Sequence, residues 1–555
     1  MSDPIVETPQ PETTNESVPV PKENQKDEQP FESSDYLPVK KPKKDKKPLV
    51  IILLILLLVA FIGAATWWFI VKKPAKTTQT TMAVQKHDIS KIRFGTSGGD
   101  INIFYPSGEG FSPDLELNTQ VFEGLVQYSQ NGIKIAPLLA SSWTNPDSTT
   151  WIFKLKQGVK FHSGRIMTAK DVVYSLTNLK DNYYWQTYGA TIREAKALDD
   201  YTVQIKTNGT DPLLLNRLTA LYIVDSQSTA KNDAINGTGP YIVKPGTTPK
   251  PEETDLVAFD SYHDGHVYTR EVQLKSFGTD DDVAAAYKKG EIDIAETNFA
   301  KAKLTPFVSA NSELFSDQLL LVYELQPNLN QKGSPLQNLK VRQALTYAID
   351  QAKFIQAEGV DGKPASQLVP QAVTGYDPTI TFPKRDVSKA KQLLAEAGYP
   401  NGVTLTMAYV EGYHDDAMAE LVKDVRDAGI TLELNPASPD TYGDDIVSGK
   451  YQMFFLGNSS VLNDLSDVVT ENFQGSNYDN PEVDSLLKQA DQTLDGATRL
   501  KILQQISRKL SDDVAAIPFY TLSANWIVPK NLVFERNVSG GNFGVLYSKV
   551  YKTSQ

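Results

Sequence analysis

The sequence of 555 residues contains no cysteine. This absence excludes disulfide bonds, a cysteine nucleophile, a zinc site built on thiolates and a lipid-modified cysteine. Basic residues are also in deficit, with 55 lysines and arginines against 67 acidic residues and a formal net charge of -12 at pH 7. Because phosphate backbones are bound by clustered positive charge, we expect no nucleic-acid partner.

Long hydrophobic runs are scarce, and the sequence has a single one, at residues 49–71. The run is uncharged, and at about 1.5 Å per residue it would form a helix about 34 Å long, enough to cross a bilayer. Trp67 and Trp68 lie near its distal end, where aromatic rings favour the membrane interface. Lysines are clustered at 40–47, so the positive-inside bias predicts a single-pass plasma-membrane helix with a cytoplasmic N-terminus.

The segments beside this run are polar. Residues 1–48 have too few apolar side chains to offset the entropy of ordering, which predicts a disordered cytoplasmic tail. Residues 72–88 read as a linker, and the remainder would be extracytoplasmic. A cleaved secretory signal is the alternative to an anchor, but the apolar run is too long and begins about fifty residues into the chain.

From residue 89 onward, short β-rich runs alternate with amphipathic helical stretches, which predicts mixed α/β domains. The pattern predicts a first strand at 92–94 and one helix at 339–354. It also predicts a helix capped by Ser388, a strand at 403–409 and a helix at 415–428. The last two elements are typical of a βαβ unit, so we expect more than one α/β lobe.

Motifs of enzymes and metal sites are weak or missing. Residues 95–99 match the Gly-x-Ser-x-Gly elbow of serine hydrolases, but no acid-then-histidine order accompanies them. His263, Asp264 and His266 could form a metal corner, yet no third ligand is identifiable and the Asp-Gly pair is typical of an exposed turn. No phosphate loop is present. We therefore predict a protein that is not an enzyme, with no metal site and no cofactor.

A set of motifs in fixed order covers nearly all of residues 90 to 540. They are VFEGLV at 121–126, PLLASSW at 137–143, WIFKLKQGVKFHSG at 151–164, TAKDVVYSL at 168–176, GTGPY at 237–241, KGEIDI at 289–294, VRQALTYAID at 341–350, AKQLLAEAGY at 390–399 and SNYDNPEVD at 476–484. Together they make the chain resemble the family-5 solute-binding proteins of ABC importers, the oligopeptide-, dipeptide- and nickel-binding group.

The resemblance implies an α/β fold, a periplasmic-binding-protein-like clamshell of class II with two lobes and an extra domain. Lobe I would comprise 89–130, 233–332 and 513–555, the extra domain 131–232, and lobe II 333–512. The ligand would be enclosed between the lobes by hinge closure. Enclosure removes water, so hydrogen bonds and fixed charges gain strength without any chemical step.

The function implied is that of a membrane-anchored, extracytoplasmic substrate-binding subunit of an ABC importer. Such a monomer would capture peptides or peptide-like solutes and deliver them to an ABC permease. An extracellular sensor or adhesion module on the same fold is the alternative, for which the uncleaved span and the cytoplasmic tail are suggestive.

In peptide-binding members of the family, an aspartate in a Gly-Trp-x-x-Asp stretch meets the ligand's amino group, and an acid-Pro pair follows. Aligned on Gly457, this sequence has Asn458 at the tryptophan position and Val461 at the aspartate position. Asp464 and Leu465 occupy the place of the acid-Pro pair. The resemblance therefore implies that the amine-binding carboxylate is missing.

We predict ligand contacts from Asn458, Ser460, Asp464 and Asp467. Either Asp464 or Asp467 supplies the carboxylate from a shifted loop, or the ligand has no α-ammonium of that kind. A third possibility is that this loop is only surface. A carboxylate facing a desolvated ammonium would change selectivity as well as affinity.

Other signature residues are expected to serve the fold. The turn at 237–241 would shape a strand entry. Arg342 and Asp350 would cap or pair within the fold, and Trp143 and Trp151 would belong to the core.

Overall fold

The structure, a computed structural model, describes residues 85–97, 118–129, 134–178, 188–228, 235–247, 250–473, 478–539 and 542–553, which belong to one compact unit. The predicted membrane span at 49–71 and the predicted tail at 1–48 lie outside these residues, as does most of the linker at 72–88. Within the described ranges, no helix has the length and apolar character that crossing a membrane requires.

The strands alternate along the chain with helices, as the sequence pattern predicts. They are β1 Lys86–His87, β2 Ile92–Ser97, β3 Val126–Tyr128, β4 Ile135–Pro137, β5 Ala140–Asp147, β6 Thr150–Leu155, β7 Ile192–Asp199, β8 Thr202–Thr207, β9 Tyr241–Val243, β10 Glu253–Ala258, β11 Glu271–Phe277, β12 Ile294–Thr297, β13 Ser312–Pro327, β14 Gly362–Pro364, β15 Val403–Val410, β16 Ile430–Ala437, β17 Met453–Ser459, β18 Ile517–Pro529, β19 Leu532–Val533, β20 Arg536–Ser539, β21 Asn542–Val545 and β22 Tyr551–Thr553.

The helices are mostly amphipathic, and all but two of those named here lie in the second half of the chain. They are α1 Ala169–Asn178, α2 Leu214–Ala220, α3 Asp280–Lys289, α4 Lys301–Leu304, α5 Leu339–Ala348, α6 Gln351–Glu358, α7 Val387–Glu396, α8 Asp415–Asp427, α9 Pro439–Val447, α10 Leu465–Phe473, α11 Pro481–Asp491 and α12 Gly496–Asp512. Short 3-10 turns follow at 305–307, 335–337 and 547–549.

One large sheet runs through most of the molecule in the order β16-β15-β17-β13-β18-β12-β2-β11-β10-β9, with β14 added on β18. It contains two parallel groups, β16-β15-β17 and β12-β2-β11. The long antiparallel strands β13 and β18 join these groups. The sheet therefore has two α/β halves connected by two crossing strands.

Separate apolar cores form around this framework. Strands β15–β17 pack in one cluster that includes α5, α6 and α8. A second cluster is formed by α10, α11 and α12 together with Leu320 of β13. The β2–β11 half has its own cluster. A four-stranded antiparallel sheet, β5-β6-β8-β7, packs with α1 and α2 around a further cluster. The domain boundaries given above stay a prediction.

Two helix predictions differ from the structure in their boundaries. The single helix predicted at 339–354 is divided, because Ile349 is extended and Asp350 caps α6 by accepting a hydrogen bond from the Lys353 N–H at 3.2 Å. The following helix is capped by Asp386 and not by Ser388, since Asp386 accepts the Lys389 N–H at 2.9 Å. Asp350 therefore serves the fold, as predicted.

Candidate ligand-binding site

The strand registers place the carboxyl ends of both parallel groups opposite one another. Along β12, residues from Ala295 to Thr297 pair with β18 residues of decreasing number, from Ile527 to Asn525. β17 is antiparallel to β13, and its last residue, Ser459, lies opposite Leu321 of β13. Both groups therefore point at the irregular middle of the crossing strands. Open α/β sheets bind ligands at the carboxyl ends of parallel strands, so we place the candidate site there.

The middle of the crossing strands is polar. The pairing of β13 with β18 shifts register between Gln318 and Val322, and the Gln318 Nε2 donates a hydrogen bond to the Thr521 Oγ1 at 2.6 Å. Nearby in the sheet, the buried Asn525 Oδ1 and Thr297 Oγ1 have no hydrogen-bond partner within the described ranges. Because buried polar atoms are nearly always paired, such a group of acceptors is unusual for a strand interior.

Asn458, the predicted ligand residue at the tryptophan position, lies at the carboxyl end of β17 and is half-buried. Its Nδ2 donates a hydrogen bond to the Oε1 of Glu324 on the neighbouring β13 at 2.7 Å. Glu324 is fully buried, and burial raises its pKa to about 8. Sequence reasoning missed Glu324, although an acid inside the apolar stretch LLLVYEL was a visible signal.

Asp464 and Ser460, two other predicted ligand residues, are both buried. The Arg499 Nη2 donates to the Asp464 Oδ1 at 3.0 Å, and the Arg499 Nη1 donates to the Oδ2. The Asp464 Oδ1 also accepts the Ser466 N–H at 2.9 Å, and the Ser460 Oγ accepts the Asp464 N–H at 2.8 Å. Both carboxylate oxygens thus have partners within the protein. A ligand contact by Asp464 stays a prediction.

Asp467, the fourth predicted residue, lies half-buried in the first turn of α10. Its Oδ2 accepts a hydrogen bond from the Leu462 N–H at 2.9 Å. Burial and the neighbouring charge of Asp464 raise the pKa of Asp467 to about 6, while the Leu462 hydrogen bond and the charge of Arg217 oppose that rise. Asp467 therefore holds the loop that carries Val461, the position at which the family resemblance implies an amine-binding aspartate.

This loop contacts the part of the molecule that contains the four-stranded sheet. The Asn216 Nδ2 in α2 donates to the Leu462 carbonyl oxygen at 2.8 Å and lies 3.2 Å from the Tyr128 Oη. The Leu462 side chain is 3% exposed and belongs to the apolar cluster of that sheet, with Val461 packed against it. Sequence reasoning did not identify Asn216 or Tyr128, because contacts so distant in sequence leave no local pattern.

The signature residues assigned to the fold do have structural contacts. A Cβ on Gly237 would lie 2.0 Å from the Val121 carbonyl oxygen, so only glycine fits. His162 sits beside the same turn, where its Nε2 lies 3.0 Å from the Gly239 carbonyl oxygen, and burial lowers its pKa to about 4. Arg342 donates to backbone carbonyl oxygens, including that of Leu336 at 2.7 Å. These contacts join distant motifs within the fold.

The residues weighed for hydrolysis and metal binding have other partners. The Ser97 Oγ donates to Asp280. The Nε2 of His263 lies 2.8 Å from the Glu123 carboxylate, and the Nε2 of His266 lies 2.7 Å from Asp88. Over the described ranges, no group of three or more metal-ligating side chains is found.

Comparison with known proteins identifies a family. The family model described as bacterial extracellular solute-binding proteins, family 5 Middle, matches residues 134–480. The oligopeptide-binding protein OppA of Bacillus subtilis is 24% identical over 467 residues, which cover 74% of this chain and 84% of that protein. The heme-binding protein A of Haemophilus influenzae is 28% identical over 472 residues, with the same two coverages of 74% and 84%.

Solved structures share the fold. The substrate-binding protein CtaP of Listeria monocytogenes has a TM-score of 0.75 and 22% identity, and the match covers 84% of this chain and 100% of that chain. The periplasmic binding protein DppA of Helicobacter pylori, in complex with the peptide STSA, has a TM-score of 0.70 and 22% identity, covering 85% and 99%. These likenesses confirm the predicted mixed α/β, two-lobe periplasmic-binding-protein fold.

Proposed function

Because this chain belongs to family 5 of the bacterial extracellular solute-binding proteins, we propose that it is the membrane-anchored, extracytoplasmic substrate-binding subunit of an ABC importer. Its solutes would be peptides or peptide-like molecules. The observation that carries the proposal is the family match across residues 134–480. This range contains the register shift of β13 after Gln318 and the carboxyl end of β17 at Asn458. Proteins of this family bind solutes and are not enzymes.

Peptide-like ligands are favoured by the relatives and by the polarity of the site. Relatives named for oligopeptides, dipeptides and di- or tripeptides match about three quarters of the chain. A peptide offers regularly spaced N–H and C=O groups, and the candidate site offers Asn458, Gln318 and Asp467 to pair with them. A few convergent polar groups are what fixes the orientation of an enclosed ligand.

The membrane anchor rests on the apolar run at 49–71 and its preceding lysines. An anchor would keep the binding domain beside the permease, so that loaded protein docks without diffusing away. With no cysteine in the chain, a lipid-modified cysteine is unavailable as the tether. We therefore propose a single-pass protein of the plasma membrane, with its N-terminus in the cytoplasm and its binding domain outside.

The four predicted site residues would act in two ways. Asn458 and Asp467 are half-buried at the carboxyl end of β17 and at the start of α10, and we propose that their side chains meet the ligand. Ser460 and Asp464 are buried and bonded to each other. These two residues would contribute by fixing the shape of the loop.

Native mass spectrometry of the full-length protein, purified in detergent without added solute, tests the proposed function. An enclosed ligand often survives purification, so the expected result is a bound species with a peptide mass. After denaturation and refolding have removed this species, a mixture of di- to pentapeptides should raise the melting temperature of the wild type. The variant D467N should show a smaller rise. Recovery of only sugars or chelated nickel, with no stabilisation by peptides, would overturn the peptide assignment.

A further inference from the structure

The buried carboxyl of Glu324 is the least explained polar group in the large sheet. The residue is 0% exposed, and its Oε2 finds no hydrogen-bond partner in the part of the chain that the structure describes. Its Oε1 accepts one hydrogen bond, from the Asn458 Nδ2 at 2.7 Å. Among the described residues, Asn458 is the single hydrogen-bond partner of this side chain.

Stability of the fold does not explain a glutamate at this position. Moving a carboxyl group out of water destabilises a fold unless the group is fully hydrogen-bonded, and within the described residues one of the two oxygens of Glu324 is unpaired. An apolar side chain of similar volume would pack in the sheet without that cost. Buried polar groups that weaken a fold are found at functional sites, where their contact serves another purpose.

The contact with Asn458 has a defined geometric effect. Val322 is the direct cross-strand partner of Asn458, and Glu324 lies two residues further along the same face of β13. The carboxyl therefore lies within the sheet on the Nδ2 side of the Asn458 amide and accepts the hydrogen bond from the Nδ2. The Oδ1 of this half-buried residue is left on the other side of the amide, and it forms no hydrogen bond with any described residue.

We propose that Glu324 is a positioning residue that holds the Asn458 amide with its Oδ1 turned toward the ligand. The site then presents a neutral acceptor at the carboxyl end of β17, and this acceptor fits an amide or amine N–H of a peptide-like solute. The inference rests on the proposed function and deepens it. Glu324 itself need not touch the ligand.

Four variants of the full-length protein test this arrangement. E324Q keeps an acceptor oxygen and the volume of the side chain, whereas E324M keeps the volume and removes the acceptor. N458A removes the oriented amide. The double variant E324M/N458A completes a cycle that isolates the coupling between the two residues. Binding of trialanine and of pentaalanine is measured by isothermal titration calorimetry, and thermal melting shows that each variant is folded.

The matched control is E358M. The side chain of Glu358 is also buried, and its Oε1 lies 2.5 Å from the Nδ1 of His414. Its Oε2 likewise has no hydrogen-bond partner among the residues that the structure describes. Because Glu358 does not contact Asn458, its replacement should leave the affinity for both peptides unchanged. A loss of peptide affinity in E324M that E358M does not show is therefore caused by loss of the contact with Asn458.

We expect E324M and N458A each to lower the affinity about tenfold, the scale of one lost hydrogen bond to a ligand. E324Q should stay within about threefold of the wild type, and E324M should change the affinity of N458A by less than about twofold. The inference would be overturned if the affinity losses of E324M and N458A added up in the double variant. It would also be overturned if E324Q bound the peptides as weakly as E324M. If E324M does not fold, the peptide affinities of N458A and E324Q decide the question. A clearly reduced affinity of E324Q, or an unchanged affinity of N458A, would then overturn the inference.

The outcome separates this inference from the proposed function. A wild type that binds either peptide while E324M binds equally well would overturn the role of Glu324 and leave the function intact. A wild type that binds neither peptide would overturn the ligand class named here. The mass of the co-purified solute then decides the proposed function by itself.

Discussion

At the scale of single residues, Glu324 should make folding depend on pH. Burial raises its pKa to about 8 from an ordinary value of 4.5. Between these two values the folded protein keeps a proton that the unfolded chain has lost, so the free energy of unfolding decreases as the pH rises. The slope from one such group is at most about 1.4 kcal/mol per pH unit. E324Q cannot titrate and should lose this contribution.

Urea unfolding of the wild type and E324Q at pH 5, 6, 7 and 8 measures the effect. Asp467, whose folded pKa is about 6, adds a slope of the same sign at lower pH. Because both proteins contain Asp467, the difference between them isolates Glu324. The gap in unfolding free energy should widen steadily from pH 5 to pH 8 in favour of E324Q. Parallel pH profiles for the two proteins would contradict the prediction.

Residue roles were the part of the site least accessible from sequence. Asp464 and Asp467 are candidates because they follow the aligned Gly457, but no sequence pattern indicates that Arg499, 35 residues beyond Asp464, donates to both of its carboxylate oxygens. Such a pairing depends on how α12 packs against the loop. Glu324 was open to detection, since an acid in an apolar strand must have a reason to be buried.

At the scale of elements, periodicity located helices and strands but not all of their ends. The strand predicted at 403–409 and the helix predicted at 415–428 match β15 and α8 closely. The predicted helix at 339–354 failed at one point, because apolar spacing continues through Ile349 while the Asp350 side chain starts a new helix. A helix cap depends on a hydrogen bond between one side chain and one backbone N–H, so the spacing of apolar residues over several turns does not reveal it.

The turn at Gly237 gives a prediction at this scale. A methyl group there would lie 2.0 Å from the Val121 carbonyl oxygen and 2.8 Å from the Phe122 ring. Since backbone cannot yield as a side chain can, G237A should lower the free energy of unfolding by about 3 kcal/mol or more. The matched control is G443A in α9, where a Cβ would meet nothing within 4 Å.

G443A should be neutral or stabilising by up to about 1 kcal/mol, because alanine favours the helix over glycine. Chemical denaturation of both variants beside the wild type provides the comparison. Equal stability of G237A and G443A would show that the turn at 237–241 can relax. The motif would then have to be explained by something other than close backbone approach.

At the scale of the whole molecule, the two-lobe architecture was predicted from the family resemblance and not from the periodicity of the sequence. Alternation of strands and helices indicates α/β lobes, but it does not reveal that β13 and β18 each run through both halves of one sheet. That arrangement needs pairings between residues about 200 positions apart, such as Leu314 with Ile527. The convergence of the two carboxyl edges, and with it the position of the site, follows from those pairings.

The contact of Leu462 with the core of the four-stranded-sheet region gives the last prediction, which concerns closure. Its side chain is buried in that core, and its carbonyl oxygen accepts a hydrogen bond from Asn216. In the predicted domain division the loop belongs to lobe II and this core to the extra domain of lobe I, so we predict that the contact forms only when the lobes are closed. L462A removes buried apolar contacts worth about 2 kcal/mol or more. The equilibrium should therefore shift toward the open form.

Small-angle X-ray scattering and calorimetry measure the two consequences together. L462A should show a larger radius of gyration without peptide, and its affinity for trialanine should fall about tenfold or more, since ligand must supply the closing energy. N216A should act in the same direction with a smaller effect. L494A replaces a leucine that is 37% exposed and should change neither quantity. If the scattering of L462A and the wild type coincides while L462A is folded, the loop does not hold the closed form, and closure must depend on the crossing strands alone.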